Sequence, residues 1–438
     1  MPLLVLCYII AYIDRMNVSF AKLTMMKDLP GFDNGVIGFA AGIFFIGYFI
    51  LEIPGSILVE RWSARKWISR ILITWGIIAA ATAWVKTPHQ FYGLRFLLGL
   101  AEAGFFPGAI IYMTHWFPKS DRARALGIFM ISTPVAQLIS PKVCNVFLKI
   151  GSDAAHPAIL GMQGWQWLYI AWGIPAVVLG VVVLFFLTDH PHEARWLTQD
   201  ERDALEQQLA IEKAQTKQRH RMTLREALHN PKVLLLTLAY FCTVSCNYGI
   251  DFFLPSIWQQ WYAMKLDSIT SFMLMPPILA LIVTLGVGWN SDRTGERRLH
   301  AAVPVLIGAV TLALTPLTRG HAWLTLTCFM IVGASIKAYL APFWALPSIF
   351  LTETAAAASV GFINSFGNLG GALGPYTLGS LQKLTGSFVG GLYILAFCLL
   401  VFAVIILSLR IGRSGQDEPA EKRAFEVILP PAAEPKPT

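Results

Sequence analysis

The stretch YIIAYIDRMNVSFA (residues 8–21) sets two opposite charges, Asp14 and Arg15, in the middle of an apolar run. On membrane-insertion scales a charge at a helix centre costs about 2.5–3.5 kcal/mol. Such a pair is kept for a reason, and the reason depends on what surrounds it. The run covers residues 2–22, and eleven further apolar segments follow near 34–60, 67–86, 90–116, 122–148, 166–188, 231–262, 268–290, 300–318, 322–349, 355–382 and 388–411. Apolar runs of about 18 residues or more read as membrane-spanning helices, whereas barrel strands are short and alternate. The chain is 55% hydrophobic and 14% charged, with mean hydropathy +0.57; a soluble domain carries about 25% charged residues. The expected fold class is an all-α membrane protein of twelve transmembrane helices, its core built inside the bilayer.

The net charge of +8 could suggest a nucleic-acid partner, but its placement argues against one. Arg61, Arg65 and Lys66 share one short loop, Lys119, Arg122 and Arg124 a second, and Arg293, Arg297 and Arg298 a third. These loops lie an even number of segments from the N-terminus, hence on one side, and the positive-inside rule makes that side cytoplasmic. Both termini are then expected in the cytoplasm. The six cysteines show no disulfide or zinc spacing beyond the i, i+4 pair Cys242 and Cys246, and read as small packing residues. The first segment has no basic stretch before it and no clear cleavage site, so no signal peptide is expected.

Between Asp189 and Asn230 the sequence turns dense in charge and helix-forming. The expected organisation is a six-helix bundle over 1–188, a cytoplasmic linker over 189–230, a second six-helix bundle over 231–411 and a disordered tail over 412–438. The halves echo each other. SILVERWSARK (residues 56–66) follows the second segment and GWNSDRTGERR (residues 288–298) the eighth. In both, a small residue precedes an acid by four, then come Arg, a small residue and a basic pair. This resembles the loop motif of the major facilitator superfamily, with Ser56, Glu60 and Ser63 as a degenerate first copy. Glu60, Arg61, Asp292 and Arg293 are thereby candidate gating residues, a latch holding one conformation of the halves; simple anchoring by basic residues is the other reading.

Within the apolar segments the ionisable residues that stand out are Asp14, Arg15, Glu52, Arg95, Glu102, Lys142 and Lys337. Arg95 and Glu102, seven apart, share a helix face, as do Tyr12 and Arg15, three apart. Asp14 points about 100° from Arg15. Arg15 is therefore expected to face a cavity with Tyr12, and Asp14 a neighbouring helix, the fourth being the candidate. Two readings fit: fixed ion pairs gluing the first and fourth segments, or a cationic site whose carboxylates titrate. The second explains more. Burial favours a neutral acid and a nearby Arg favours its anion, so an arriving anion that takes over the Arg frees the acid to accept a proton. Gly99, Ala101, Ala103, Gly104 and Gly108 let the fourth segment pack closely, and Pro107 is expected to kink it.

The segments YIDRMNVSFA, GYFILEIPGSILVERWSARKWISRILITWGI, RFLLGLAEAGFFPG, GWQWLYIAWGIPA, PFWALPSIFL and INSFGNLGGALGPY together resemble the anion:cation symporters of that superfamily, which carry tartrate, phthalate, aldonates and related acids. The resemblance runs from Ile9 to Leu409. It implies two pseudo-symmetric bundles with a central site, Asp14 and Glu102 as proton-linked acids, and Arg15 and Arg95 binding or gating the anion. It also implies Tyr12, Tyr48, Trp344 and Asn364 in the pocket. Ala341 and Phe343 stand where family members often show small or hydroxyl residues. Lys142 and Lys337 are added cations that could meet a second carboxylate, favouring a compact or aromatic diacid; snorkelling or pairing with Asp251 is the alternative.

The expected function is a proton-coupled symporter importing a small organic carboxylate by alternating access. Its expected place is the cell inner membrane as a multi-pass monomer, without cofactor or metal. An exchanger or uniporter using the same pocket, and a non-transporting sensor, are the alternatives; the linker and tail are too small for an output domain. No nucleophile–His–acid set shares a face, so no enzyme is expected.

Overall fold

In the computed structural model the described residues are 1–194, 196–217, 230–350 and 353–409. Among them the structure is helical. Helices α1 (Pro2–Asp28), α2 (Asn34–Arg61), α3 (Ala64–Ala81), α4 (Pro88–Glu102), α5 (Phe105–Trp116), α6 (Lys119–Met130), α7 (Ser132–Leu148) and α8 (Gly164–Phe186) form the first half. Helix α9 (Gln199–Lys217) follows. The second half holds α10 (Pro231–Tyr262), α11 (Leu266–Phe272), α12 (Met275–Thr294), α13 (Arg298–Leu314), α14 (Ala322–Ala338), α15 (Leu340–Phe350), α16 (Glu353–Asn368), α17 (Gly370–Thr385) and α18 (Val389–Ser408). Helices α4–α5, α6–α7, α11–α12 and α14–α15 pair up as broken single crossings.

Eleven spans among the described residues are long and apolar enough to cross a membrane. The twelfth expected segment, 355–382, is divided into α16 and α17, of 16 residues each. The division is slight: Leu369 donates to Phe366 O and Ala372 to Leu369 O, three-residue bonds that interrupt the α-register. Side chains on the outer faces, among them Phe185, Phe186, Ile282, Leu285 and Phe397, are exposed. In water this would be a continuous apolar surface far beyond what a soluble monomer shows; in lipid it is the solvated face.

The kink expected at Pro107 lies elsewhere. Helix α4 ends at Glu102, Ala103 is extended, and Gly104 starts α5 at φ +86. Gly104 is needed twice over. Its φ lies in the left-handed region, and an added Cβ would sit 3.1 Å from Trp67 Nε1 and 3.3 Å from Gly55 Cα. Pro107 falls in the first turn of α5, where its missing N–H has no intrahelical partner to lose.

Helices α3 and α8, α2 and α4, and α1 and α7 pack together in the first half; α10 and α17, α13 and α18, and α12 and α14 in the second. The halves meet chiefly through α2 against α17 and α1 against α10. That seam is closed at one end, the end carrying the 29–33 loop. There Asn34 Nδ2 donates to Gln382 Oε1 (2.8 Å), Lys383 pairs with Asp33 (3.1 Å), and Asn145 and Lys149 bond Asp267 (2.6 and 2.9 Å). An added Cβ on Gly38 would lie 2.5 Å from Pro375 O, so backbones touch across the seam.

The two echoed loops serve different local ends. In the second, Gly295 is left-handed (φ 67) and closes α12, as the small residue in that position requires. In the first, Ser63 caps α3 by accepting from Lys66 N, and its hydroxyl donates to Asp189 Oδ2 (2.6 Å). Asp189 also accepts from Arg65 N (2.8 Å), tying this loop to the exit of α8.

Candidate functional site

Helix α1 runs along the seam, so successive residues of YIDRMN reach different neighbours. Arg15 is nearly buried and does two things at once. Its guanidinium pairs with Glu102 at the end of α4, and Nη1 donates to Tyr248 Oη of α10 (3.0 Å). It therefore bridges the halves. The rings of Phe44 and Tyr48 on α2 lie 5.6 and 5.4 Å from it, presenting π-faces to the cation. Glu102 can reach Arg15 because α4 stops there: the extended Ala103 and left-handed Gly104 turn the chain away and leave the carboxylate at a helix end facing α1.

Asp14 points away from Arg15, as the helix period requires, and takes its hydrogen bonds from α3 and its own helix, with Arg95 of α4 beside it. Trp75 Nε1 donates to its Oδ2 (2.5 Å) and Asn17 Nδ2 to its Oδ1 (2.8 Å). Arg95 is buried among Tyr169, Asp14 and Glu102, with Phe44 and Phe91 at 5.7 and 5.8 Å; its Nε has no hydrogen-bond partner among the described residues. The first half thus holds two arginines and two carboxylates around the α1–α4 contact, with one direct ion pair, Arg15–Glu102. A buried pair of this kind contributes little net stability, yet removing either partner is expensive because the other charge is stranded.

On the next turn of α1, Tyr12 accepts from Gln137 Nε2 of α7 (3.1 Å). A cavity opens beside it, lined by Tyr12, Met16 and Gln137 from the first half and by Asp251, Met273 and Lys337 from the second. Lys337 Nζ donates to Asn247 Oδ1 (2.6 Å), and Asp251, one turn along α10 from Asn247, faces the same ammonium. Lys337 is thus part-buried beside the seam with an internal counter-charge at hand.

The other sequence candidates are more dispersed. Asn364 on α16 donates to Glu52 Oε1 of α2 (3.0 Å), a second contact across the seam. Trp344 on α15 packs edge-on against Tyr240 (5.0 Å) and Phe343 (5.3 Å). Lys142 is exposed near the closed end, donating to Ser271 Oγ across the seam (2.8 Å), away from Arg15 and Lys337. Asp292 accepts from Arg297 (2.5 Å) within its own loop and not from a neighbouring helix; Arg293 lies over Trp289 (5.4 Å). Glu60 and Arg61 end α2, and their side chains lie outside the described residues.

Sequence reading named Asp251 as a partner for an added lysine but passed over Asn247 and Tyr248, although CNYGID puts three polar groups in an apolar segment and spaces Asn247 and Asp251 one turn apart. It also passed over Trp75 and Gln137, whose roles exist only through their partners.

A model of the Major Facilitator Superfamily matches residues 4–375. A protein of Agrobacterium vitis named "Putative tartrate transporter" is 39% identical over 408 residues, covering 93% of this chain and 92% of that one. A protein of Acinetobacter baumannii named "Quinolone resistance transporter" is 37% identical over 410 residues, covering 92% and 91%. Among solved structures, that of a D-xylose-proton symporter superposes with TM-score 0.73 at 15% identity, covering 94% of this chain and 97% of that one, a likeness of fold. Seam, broken helices and sequence agree: this chain belongs to the Major Facilitator Superfamily and is a multi-pass membrane transporter of organic substrates, not an enzyme.

Proposed function

We propose that the protein is a proton-coupled symporter of the inner membrane that imports a small organic carboxylate, a compact diacid of the tartrate or phthalate class. The observation that carries this reading is the Arg15–Glu102 pair in the seam, with Tyr248 of the opposite half on the same guanidinium. A guanidinium fork suits a carboxylate, and the name of the Agrobacterium vitis relative points to the same chemistry.

The cycle follows from competition for one cation. An incoming carboxylate takes Arg15 from Glu102. The released acid, in a site of low polarity, accepts a proton. Asp14 is the second acid, held by Trp75 and Asn17 beside Arg95. When the anion leaves, Arg15 recaptures Glu102 and the proton is expelled. Tyr12, Tyr48, Trp344 and Asn364 shape the pocket, and Lys337 meets the second carboxylate in place of Asp251. Lys142 draws anions at the outer mouth.

Residues 1–188 and 231–411 are the two units that rock about the seam, and 189–230 joins them on the cytoplasmic side, where both termini also lie. With that orientation the closed end is external. The Asp292–Arg293 and Glu60–Arg61 loops then latch the cytoplasmic end in the other state. The transporter works as a monomer.

Uptake of labelled L-tartrate into proteoliposomes separates symport from exchange. A symporter fills an anion-free lumen when the outside is acidified; filling only when the lumen is preloaded with tartrate would make the protein an exchanger. Aromatic acids belong in the same assay, because the Acinetobacter baumannii relative is named for quinolones, which carry a carboxylate on an aromatic system.

A further inference from the structure

Lys22 lies two turns beyond Arg15 on α1, and nothing in the cycle above uses it. It is fully buried, and its Nζ has no hydrogen-bond partner among the described residues. Its ammonium sits 3.5 Å from the ring centre of Phe253 on α10. A bare ammonium buried without donor or acceptor partners is costly, so the position serves something that this state does not display.

The geometry shows what changes. Residues 15, 19 and 22 fall on one face of α1, the last about 10 Å from the first along the axis. Lys22 belongs to the first half and Phe253 to the second. Phe253 is anchored within the second half, beside the closed seam: its ring is 5.6 Å from Phe388, and an added Cβ on Gly379 of α17 would lie 3.1 Å from it. Just beyond are the Asn34–Gln382 and Asp33–Lys383 contacts that shut this end. Parting the halves here necessarily draws Lys22 off the ring and leaves a cation in the opened passage, in line with Arg15. An aromatic face, unlike a carboxylate, leaves no anion behind to compete for that cation.

We propose that Lys22 is a first docking subsite for the anion's carboxylate in the outward-open state, handing it on to Arg15, and that Phe253 stores the ammonium while the outer end is closed. The inference rests on the reading of the cargo as an organic carboxylate. It assigns Lys22 to one face of the cycle only.

The test is L-tartrate exchange in vesicles of both orientations. Lys22→Met, which keeps an apolar chain over Phe253, is expected to raise the half-saturating tartrate concentration at the outer face roughly tenfold, the scale of one lost charge-assisted hydrogen bond. The inner face should keep its wild-type value and so report a folded protein. The salt sensitivity of the outer-face value should fall, Lys22→Gln should behave as Lys22→Met, and Lys22→Arg should restore affinity. Unchanged outer-face values in the Met and Gln variants, or equal shifts at both faces, would overturn the assignment of Lys22 alone. A wild-type protein that moves no organic carboxylate at all overturns the cargo reading and this inference together.

Discussion

Replacing Glu102 by Gln separates binding from coupling. In the wild type every bound carboxylate displaces Glu102 from Arg15. A charge-assisted hydrogen bond contributes about 1.5–3 kcal/mol and a neutral one about 0.5–1.5. The neutral amide therefore competes less by about 1–2 kcal/mol, which returns to the ligand as roughly 5- to 30-fold tighter tartrate binding at pH 7.5. The pH dependence gives a second handle. Binding frees Glu102 and is accompanied by proton uptake, so wild-type affinity should rise as pH falls; in Glu102→Gln that slope should flatten. Stranding Arg15 should also lower the thermal stability of the ligand-free variant, with tartrate restoring more of it than in the wild type. Calorimetric titration from pH 5.5 to 8.5 measures all of this. A variant that binds no tighter and keeps the wild-type slope would refute the competition between Glu102 and substrate for Arg15.

Lys337→Met should raise the half-saturating concentration of a diacid more than that of its monoacid analogue, because only the diacid replaces Asp251 at the ammonium; equal effects would remove Lys337 from the site. Gly104→Ala should destabilise the fold by about 1–3 kcal/mol, since it forces an L-residue to φ +86 against Trp67 and Gly55. Gly127→Ala is the control. Gly127 lies in α6 with open space around it and should be neutral or stabilising by up to about 1 kcal/mol in thermal unfolding. Trp75→Phe keeps the ring but removes the donor to Asp14, and should lower the melting temperature by leaving a buried carboxylate short of a partner.

Much of the fold is legible in the chain because each crossing must satisfy its backbone alone, which makes the apolar run length a direct reading of a helix. What the run length does not carry is where a helix pauses. Pro107 looked like the breaking point of the fourth crossing, but a proline early in a helix loses nothing, whereas Gly104 can adopt a backbone that other residues resist. The interruption at Leu369 has no breaker of its own and arises where glycines let α17 press onto α10.

The charged pair of α1 was visible because charge in an apolar run is costly. Its geometry was half visible. The period of the helix sends Asp14 and Arg15 apart, but which receives Glu102 depends on α4 ending at residue 102 and turning away. Tyr248 acts across the seam, and its own segment does not announce which residue of the other half it meets. Lys22 was hidden for another reason: near a segment end a lysine reads as an interfacial anchor, and only the packing of α1 on α10 buries it.

The central claim is that anion and proton movement are tied through the carboxylates beside the arginines of α1 and α4. The most direct measurement is accumulation of labelled tartrate in anion-free proteoliposomes under an inward proton gradient, comparing the wild type with the Asp14→Asn, Glu102→Gln double variant. Wild-type protein should concentrate tartrate above the external level and lose that gradient on adding a protonophore, while the double variant should only equilibrate it. Uphill accumulation by the double variant would contradict the account.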